Sequence, residues 1–277
     1  MDIQITLTVN ESKRLIAKGV VSLPEVKAAF KKAKIILKGG TTVSAISEEL
    51  VGKPLRISGR ITQRGTVAVK DVLKDHPHSV LIKKGEVENI DDTFVDVAQR
   101  LGRRDVVIIG GNALDVNGNA AMMAGAPGGG NPGQAISGIL TQGCRIIIPI
   151  GLEKLIPGAI FEAIQAAGRD TDRAYGMAVG LIPLIGKVVT EKEAVEIVSD
   201  VRCTVIGRGG ILGAEGSTVM AVEGGEKAIE RLRRIVDEIK GTGISGVESS
   251  LDECDGRGAN CRDHRACIYK GGKNSCR

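Results

Sequence analysis

The stretch Asp105-Val-Val-Ile-Ile-Gly-Gly-Asn-Ala-Leu-Asp115 carries a short apolar run straight into glycines and small polar residues, and the chain continues in that manner to Ala126-Pro-Gly-Gly-Gly-Asn-Pro-Gly133. Consecutive β-branched residues without polar alternation predict a strand buried on both faces, as in a parallel sheet covered by helices. Glycine just past such a strand lets backbone N–H groups approach a ligand, most readily an anion.

Outward from this stretch the pattern repeats. Lys34-Ile-Ile-Leu37 runs into Lys38-Gly-Gly-Thr-Thr-Val-Ser44, and Cys144-Arg-Ile-Ile-Ile-Pro149 runs into Ile150-Gly-Leu-Glu-Lys154. Residues 54–57 and 79–83 read as further strands. Residues 11–17, 24–32, 91–101, 132–142 and 159–167 read as helices, with Pro24 in a first turn. The alternation predicts an α/β fold with a doubly wound, mostly parallel sheet in a metabolite-binding domain over residues 1–186. A helix at 191–200, strands at 203–207 and 218–222, and an amphipathic helix at 226–240 predict a smaller α-β-β-α unit over 187–242. Residues 243–277 form a Gly-, Asp- and Cys-rich tail that cannot build a core without a staple.

Composition narrows the function classes. The 42% hydrophobic content is almost all Ala, Val, Ile and Leu, with no Trp, two Tyr and three Phe. Stacking platforms for single-stranded nucleic acid are therefore scarce, and a net charge of +5 with interleaved signs describes a solvated surface rather than a nucleic-acid footprint. No apolar window spans a bilayer and the first residues do not read as a signal peptide, which points to the cytoplasm and to no membrane partner. Exposed apolar surface on such sheets is often covered by self-association, so a homo-oligomer is compatible with the sequence.

In the Gly39-Gly40-Thr41-Thr42-Val43-Ser44 loop, hydroxyls and the amides of a helix start suit a phosphate; the competing reading makes Thr41 or Thr42 a simple N-cap. The loop lacks the lysine spacing of a P-loop, and Gly110-Gly111-Asn112 does not match the dinucleotide fingerprint.

The succession Ile36-Leu-Lys-Gly-Gly-Thr-Thr42, Asp105 to Asp115, and Ile146-Ile-Ile-Pro-Ile-Gly-Leu-Glu-Lys154 resembles the superfamily of ribose-phosphate isomerases, glucosamine-phosphate deaminases and CoA-transferases, together with its sugar-phosphate sensor and initiation-factor-2B-like domains. The likeness spans residues 11–157. It implies a phosphate at Gly40, Thr41 and Thr42, the sugar or acyl portion at Gly111, Asn112 and Asp115, and a second anion contact at Lys154. The expected ligand set is Gly39, Gly40, Thr41, Thr42, Ser44, Gly110, Gly111, Asn112, Gly129, Gly130 and Lys154, with Asp115 as the one candidate catalytic acid–base group. The sequence departs from the isomerases where chemistry is concerned. Asn112 stands where their first acid falls, Met122 and Met123 precede Gly128-Gly-Gly130 where they carry a lysine, and residues 133–142 hold no carboxylate. CoA transfer needs a nucleophilic glutamate, and Glu215 in its loop has no evident partner.

Cys254, Cys261, Cys267 and Cys276 crowd the tail, with His264 between the second and third. Four thiols suit tetrahedral Zn²⁺ or an iron–sulfur cluster that would order the tail; disulfides and free thiols are the alternatives. Two functions follow. One is a binding protein or enzyme for a small phosphorylated or carboxylated metabolite, isomerase-like or transferase-like. The other is a non-catalytic sensor or scaffold whose metal-loaded tail contacts a partner or reports redox state.

Overall fold

A computed structural model describes residues 1–69, 75–258, 261 and 263–271. The chain is an α/β protein with eight α-helices among the described residues and a mixed six-stranded sheet. The strand order is Lys187–Val189, Arg145–Pro149, Val106–Ile109, Lys34–Lys38, Ser79–Lys83, Glu86–Asn89. The first four run parallel, and the last two are added antiparallel.

The apolar runs work as their patterning demands. Ile35, Leu37, Val106, Ile108 and Ile147 face one side and pack with Leu15, Ile16 and Val26 of the helices Val9–Ser22 and Pro24–Lys32. Ile36, Val107, Ile109, Ile146 and Ile148 face the other, against Phe94, Ala98, Ala135 and Ile139 of Phe94–Ala98 and Gly130–Thr141. Alternate residues of one strand thus serve two cores, so no position in the run can be polar.

Strands Arg202–Gly209 and Ser217–Glu223 pair antiparallel, and Asp2–Leu7 adds to the outer edge of Ser217–Glu223. Helices Glu191–Ser199 and Glu226–Ile239 join the same hydrophobic cluster as the main sheet, through Ala194, Val195, Ile229, Leu232 and Val236. The segment Gly180–Leu184, without helical period in the sequence, pairs with Ala120–Ala124, which also pairs with Ala113–Leu114.

Residues 54–57 are not a strand. Leu55 and Ile57 are buried, but their N–H groups donate to the Ser44 hydroxyl at 2.9 Å and the Ser250 hydroxyl at 3.0 Å. Side-chain acceptors have replaced a neighbouring strand, which no pattern of apolar residues reveals. Among the described residues no helix is long and apolar enough to cross a membrane.

Candidate functional site

Register fixes where the loops meet. Lys38 lies opposite Ile109, Ile147 opposite Ile108, and Pro149 opposite Val189. The carboxyl ends of the four parallel strands therefore form one edge. Gly39-Gly40, Gly110-Gly111, Ile150–Lys154 and Thr190-Glu191 all leave from it, the edge at which open sheets bind ligands.

Lys154 in the turn Leu152–Lys154 stands within electrostatic reach of two further lysines here, Lys38 at the strand end and Lys13 from the helix Val9–Ser22. Desolvation, reinforced by repulsion from Lys154, pushes the Lys38 ammonium down to about 8. Desolvation likewise holds Lys13 at about 8, with Lys154 lowering it further while Glu153 and Glu191 pull it up. Both carboxylate oxygens of Glu153 are buried with no hydrogen-bond donor, and Lys154 Nζ lies 3.9 Å away. Glu191 is a different kind of group. It accepts from the Leu152 N–H at 2.9 Å and the Thr218 hydroxyl at 3.0 Å, bracing the Lys154 turn, and burial raises its pKa.

The helix Thr41–Val51 begins at this edge. Its N-cap is Gly40, which supplies no side chain, so neither threonine is the cap; Thr42 Oγ1 in the first turn is buried without a hydrogen-bond partner. Gly39 is required by His78. Its N–H donates to the His78 carbonyl at 2.7 Å, and a Cβ would stand 2.3 Å from that oxygen. Burial, with Lys38 adding repulsion, drives the His78 imidazole down to about 3. The ring is thus neutral, with Nδ1–H donating to the Arg56 carbonyl at 2.9 Å and Nε2 accepting from Ser58 at 3.2 Å.

Other expected ligand residues have structural work. Ser44 Oγ accepts from the Leu55 N–H and the Ser245 hydroxyl, both at 2.9 Å. Asn112 Oδ1 accepts from the Met123 N–H at 3.0 Å, pinning the Ala120–Ala124 strand. Gly111 admits Ile150, while Gly129 and Gly130 abut Ile182 and Ala126. Asp115 is buried and accepts four hydrogen bonds, from the N–H groups of Asn117, Asn119 and Ile160 and the Asn119 amide at 2.9–3.2 Å. A carboxylate has about four lone-pair sites, so none remains for a substrate proton, and these bonds hold the group below its ordinary pKa despite desolvation.

The cysteine tail is docked on the body. Ile268 N–H donates to the Ala174 carbonyl, Ala174 N–H donates to that of Ala266, and Arg169 Nη2 donates to that of Asp263. Arg64 lies over the Tyr269 ring, 4.3 Å from its centroid. Cys254, Cys261, Cys267 and His264 line one small cavity against Arg64, Thr66 and Met177. Burial and the neighbouring Cys254 and Cys267 raise the Cys261 thiol pKa. Among the described residues no group of three or more His, Cys, Asp or Glu has closed to metal-holding geometry, and Cys276 lies outside the described residues.

At the opposite edge of the sheet an open cleft is lined by Lys34, Lys83, Lys84, Arg103 and Arg104 around Asp105. The Asp105 carboxylate accepts from the Lys34 and Gly102 N–H groups at 2.8 and 2.9 Å and closes the strand start.

Lys13, Lys38 and Glu153 were not legible as a set. Lys38 carries a weak signal, a charge directly between a buried strand and Gly-Gly; Lys13 carries none. Comparison of the chain with protein-family models, with curated proteins and with solved structures returned no match.

Proposed function

We propose that the crevice at the carboxyl edge of the parallel strands binds a small phosphorylated or carboxylated metabolite. The observation that carries this is the placing of Lys13 and Lys38 within electrostatic reach of Lys154, the first two held near pKa 8 by desolvation and repulsion. Desolvation and the repulsion added to it destabilise the ligand-free protein, and a bound anion offsets both by pairing with the buried charges. The first-turn amides of Thr41–Val51 and the Thr42 hydroxyl add donors at the positive end of a helix.

The doubly wound arrangement of sugar-phosphate isomerases and their relatives fits four parallel strands with helices on both faces and a Gly-Thr loop at the first strand end. If the protein is an enzyme of that isomerase-like or transferase-like kind, Glu153 rather than Asp115 is the carboxylate placed to move a proton, because its oxygens are uncommitted beside Lys154 and Lys13.

The test is thermal stabilisation at pH 7 by inorganic phosphate, sugar phosphates and small carboxylates. A ligand at about 100 times its Kd stabilises by roughly 2.7 kcal/mol. The reading requires such a shift from at least one phosphorylated or carboxylated compound and its loss in Lys154→Met. A panel without any shift, or a shift retained in Lys154→Met, overturns it.

A further inference from the structure

The lobe made by the hairpin Gly59–Thr62/Gly65–Ala68, the segment 174–177 and the tail is poor in core. Among the described residues its buried apolar side chains are few, Val67 and the adjoining Val69 among them. Backbone pairings and polar side chains hold it instead, Arg60 donating to the Ser250 and Asp252 carbonyls and Arg169 to that of Asp263, and Gly65 and Gly176 have φ of +98° and +84° where a Cβ would stand 2.1 Å from the carbonyls of Tyr175 and Thr66. Such a lobe needs a staple.

The chemistry for one lies at its centre. Cys261-Arg-Asp-His264-Arg-Ala-Cys267 sets a thiol, an imidazole and a thiol at even three-residue steps, and Cys254 comes within hydrogen-bonding reach of Cys261. All four side chains line the same cavity. Three thiols with one imidazole suit a single ion better than a cluster, which is held by four thiolates. Cys267 is also bridged to Ala174, so a ligand set here ties the tail to the 174–177 segment.

We propose that Cys254, Cys261, His264 and Cys267 bind one Zn²⁺ as a Cys₃His site that staples the tail to the body. Three thiolates and a neutral imidazole form a closed structural set for this ion, and its binding has to draw them together from the cavity wall, since among the described residues no group of three stands at ligating geometry. The ion releases the thiol protons on binding, leaves no open position, and serves architecture rather than turnover. The site is independent of the strand-edge crevice.

The full-length protein, stripped with a chelator and reloaded with Zn²⁺, tests this by elemental analysis. About one Zn²⁺ per chain is expected in the wild type and in Cys276→Ser and Cys144→Ser, with near-complete loss in Cys267→Ser and His264→Ala. Co²⁺ substitution should give the intense visible bands of a tetrahedral thiolate site, unchanged in Cys276→Ser. Should a variant fail to fold, the wild type alone decides: chelation should expose residues 252–271 to protease, and Zn²⁺ should restore protection. No stoichiometric Zn²⁺, iron with acid-labile sulfide in its place, retention of metal by His264→Ala with loss in Cys276→Ser, or protease resistance indifferent to chelation would each overturn the assignment.

Discussion

Replacing Lys38 by Met keeps the length of the side chain and removes its charge. Burial and the neighbouring Lys154 hold this lysine at about 8 instead of its ordinary 10.5. At about 1.4 kcal/mol per pH unit the charged form costs the fold roughly 3 kcal/mol. The side chain keeps partial contact with water, and screening reduces this to about 1–2 kcal/mol. For a chain of this size 1 kcal/mol moves Tm by about 2–4 °C, so ligand-free Lys38→Met should melt about 2–8 °C above the wild type at pH 7. Phosphate-induced stabilisation should disappear in the same variant, because the cation that destabilises the empty crevice is the one that attracts the anion. Linkage adds a further check. The folded lysine loses its proton near 8 and the unfolded one near 10.5, so wild-type stability rises with pH across that window and the variant's advantage closes. Scanning calorimetry at pH 7 and pH 10, with and without phosphate, reads all of this. A variant that melts below the wild type at pH 7, or that keeps its phosphate shift, refutes the reasoning.

In the wild type, phosphate-induced stabilisation should fade as pH rises through about 8, where Lys13 and Lys38 lose their protons; a shift undiminished at pH 9.5 would show that neither lysine holds the anion. Glu153→Gln removes the charge that pulls Lys13 upward, so the alkaline limit of phosphate binding should move to lower pH, measured by titration calorimetry across pH 6–9. Asp115→Asn turns an NH₂ donor toward backbone N–H groups that need an acceptor, so Tm should fall by several degrees while the phosphate shift survives; loss of the shift in a protein of unchanged Tm would restore Asp115 to the site.

Three of the four parallel strands were legible because burial on both faces leaves no alternative to a continuous apolar run, and Val106–Ile109 sits where its sequence said it would, whereas the three-residue strand Lys187–Val189 was not read as one. Glu226–Ile239 was legible because one face, with Ile229, Leu232, Val236 and Ile239, goes to the core and the rest to water. Pairings between distant segments were not. Asp2–Leu7 joins Ser217–Glu223 across more than 200 residues, and nothing local in either names the other. The site was half legible for the same reason. Glycines and threonines at strand ends are visible in one dimension, but Lys13 comes from a helix whose lysines read as a solvated face, and only the fold brings it to Lys154. Asp115 shows the converse, since an acid beside a glycine loop reads as chemistry until its four donors are known.

A strand-edge lysine cluster that is electrostatically strained when empty should be relieved by an anion. Lysine ¹³Cε NMR of the labelled full-length protein, titrated from pH 6 to 11 with and without inorganic phosphate, tests it most directly. Two resonances, assigned by their absence in Lys13→Met and Lys38→Met, should titrate near 8 in the ligand-free protein and move toward 10.5 when phosphate is added. All lysines titrating near 10.5, or two depressed resonances indifferent to phosphate and to sugar phosphates, would contradict the account.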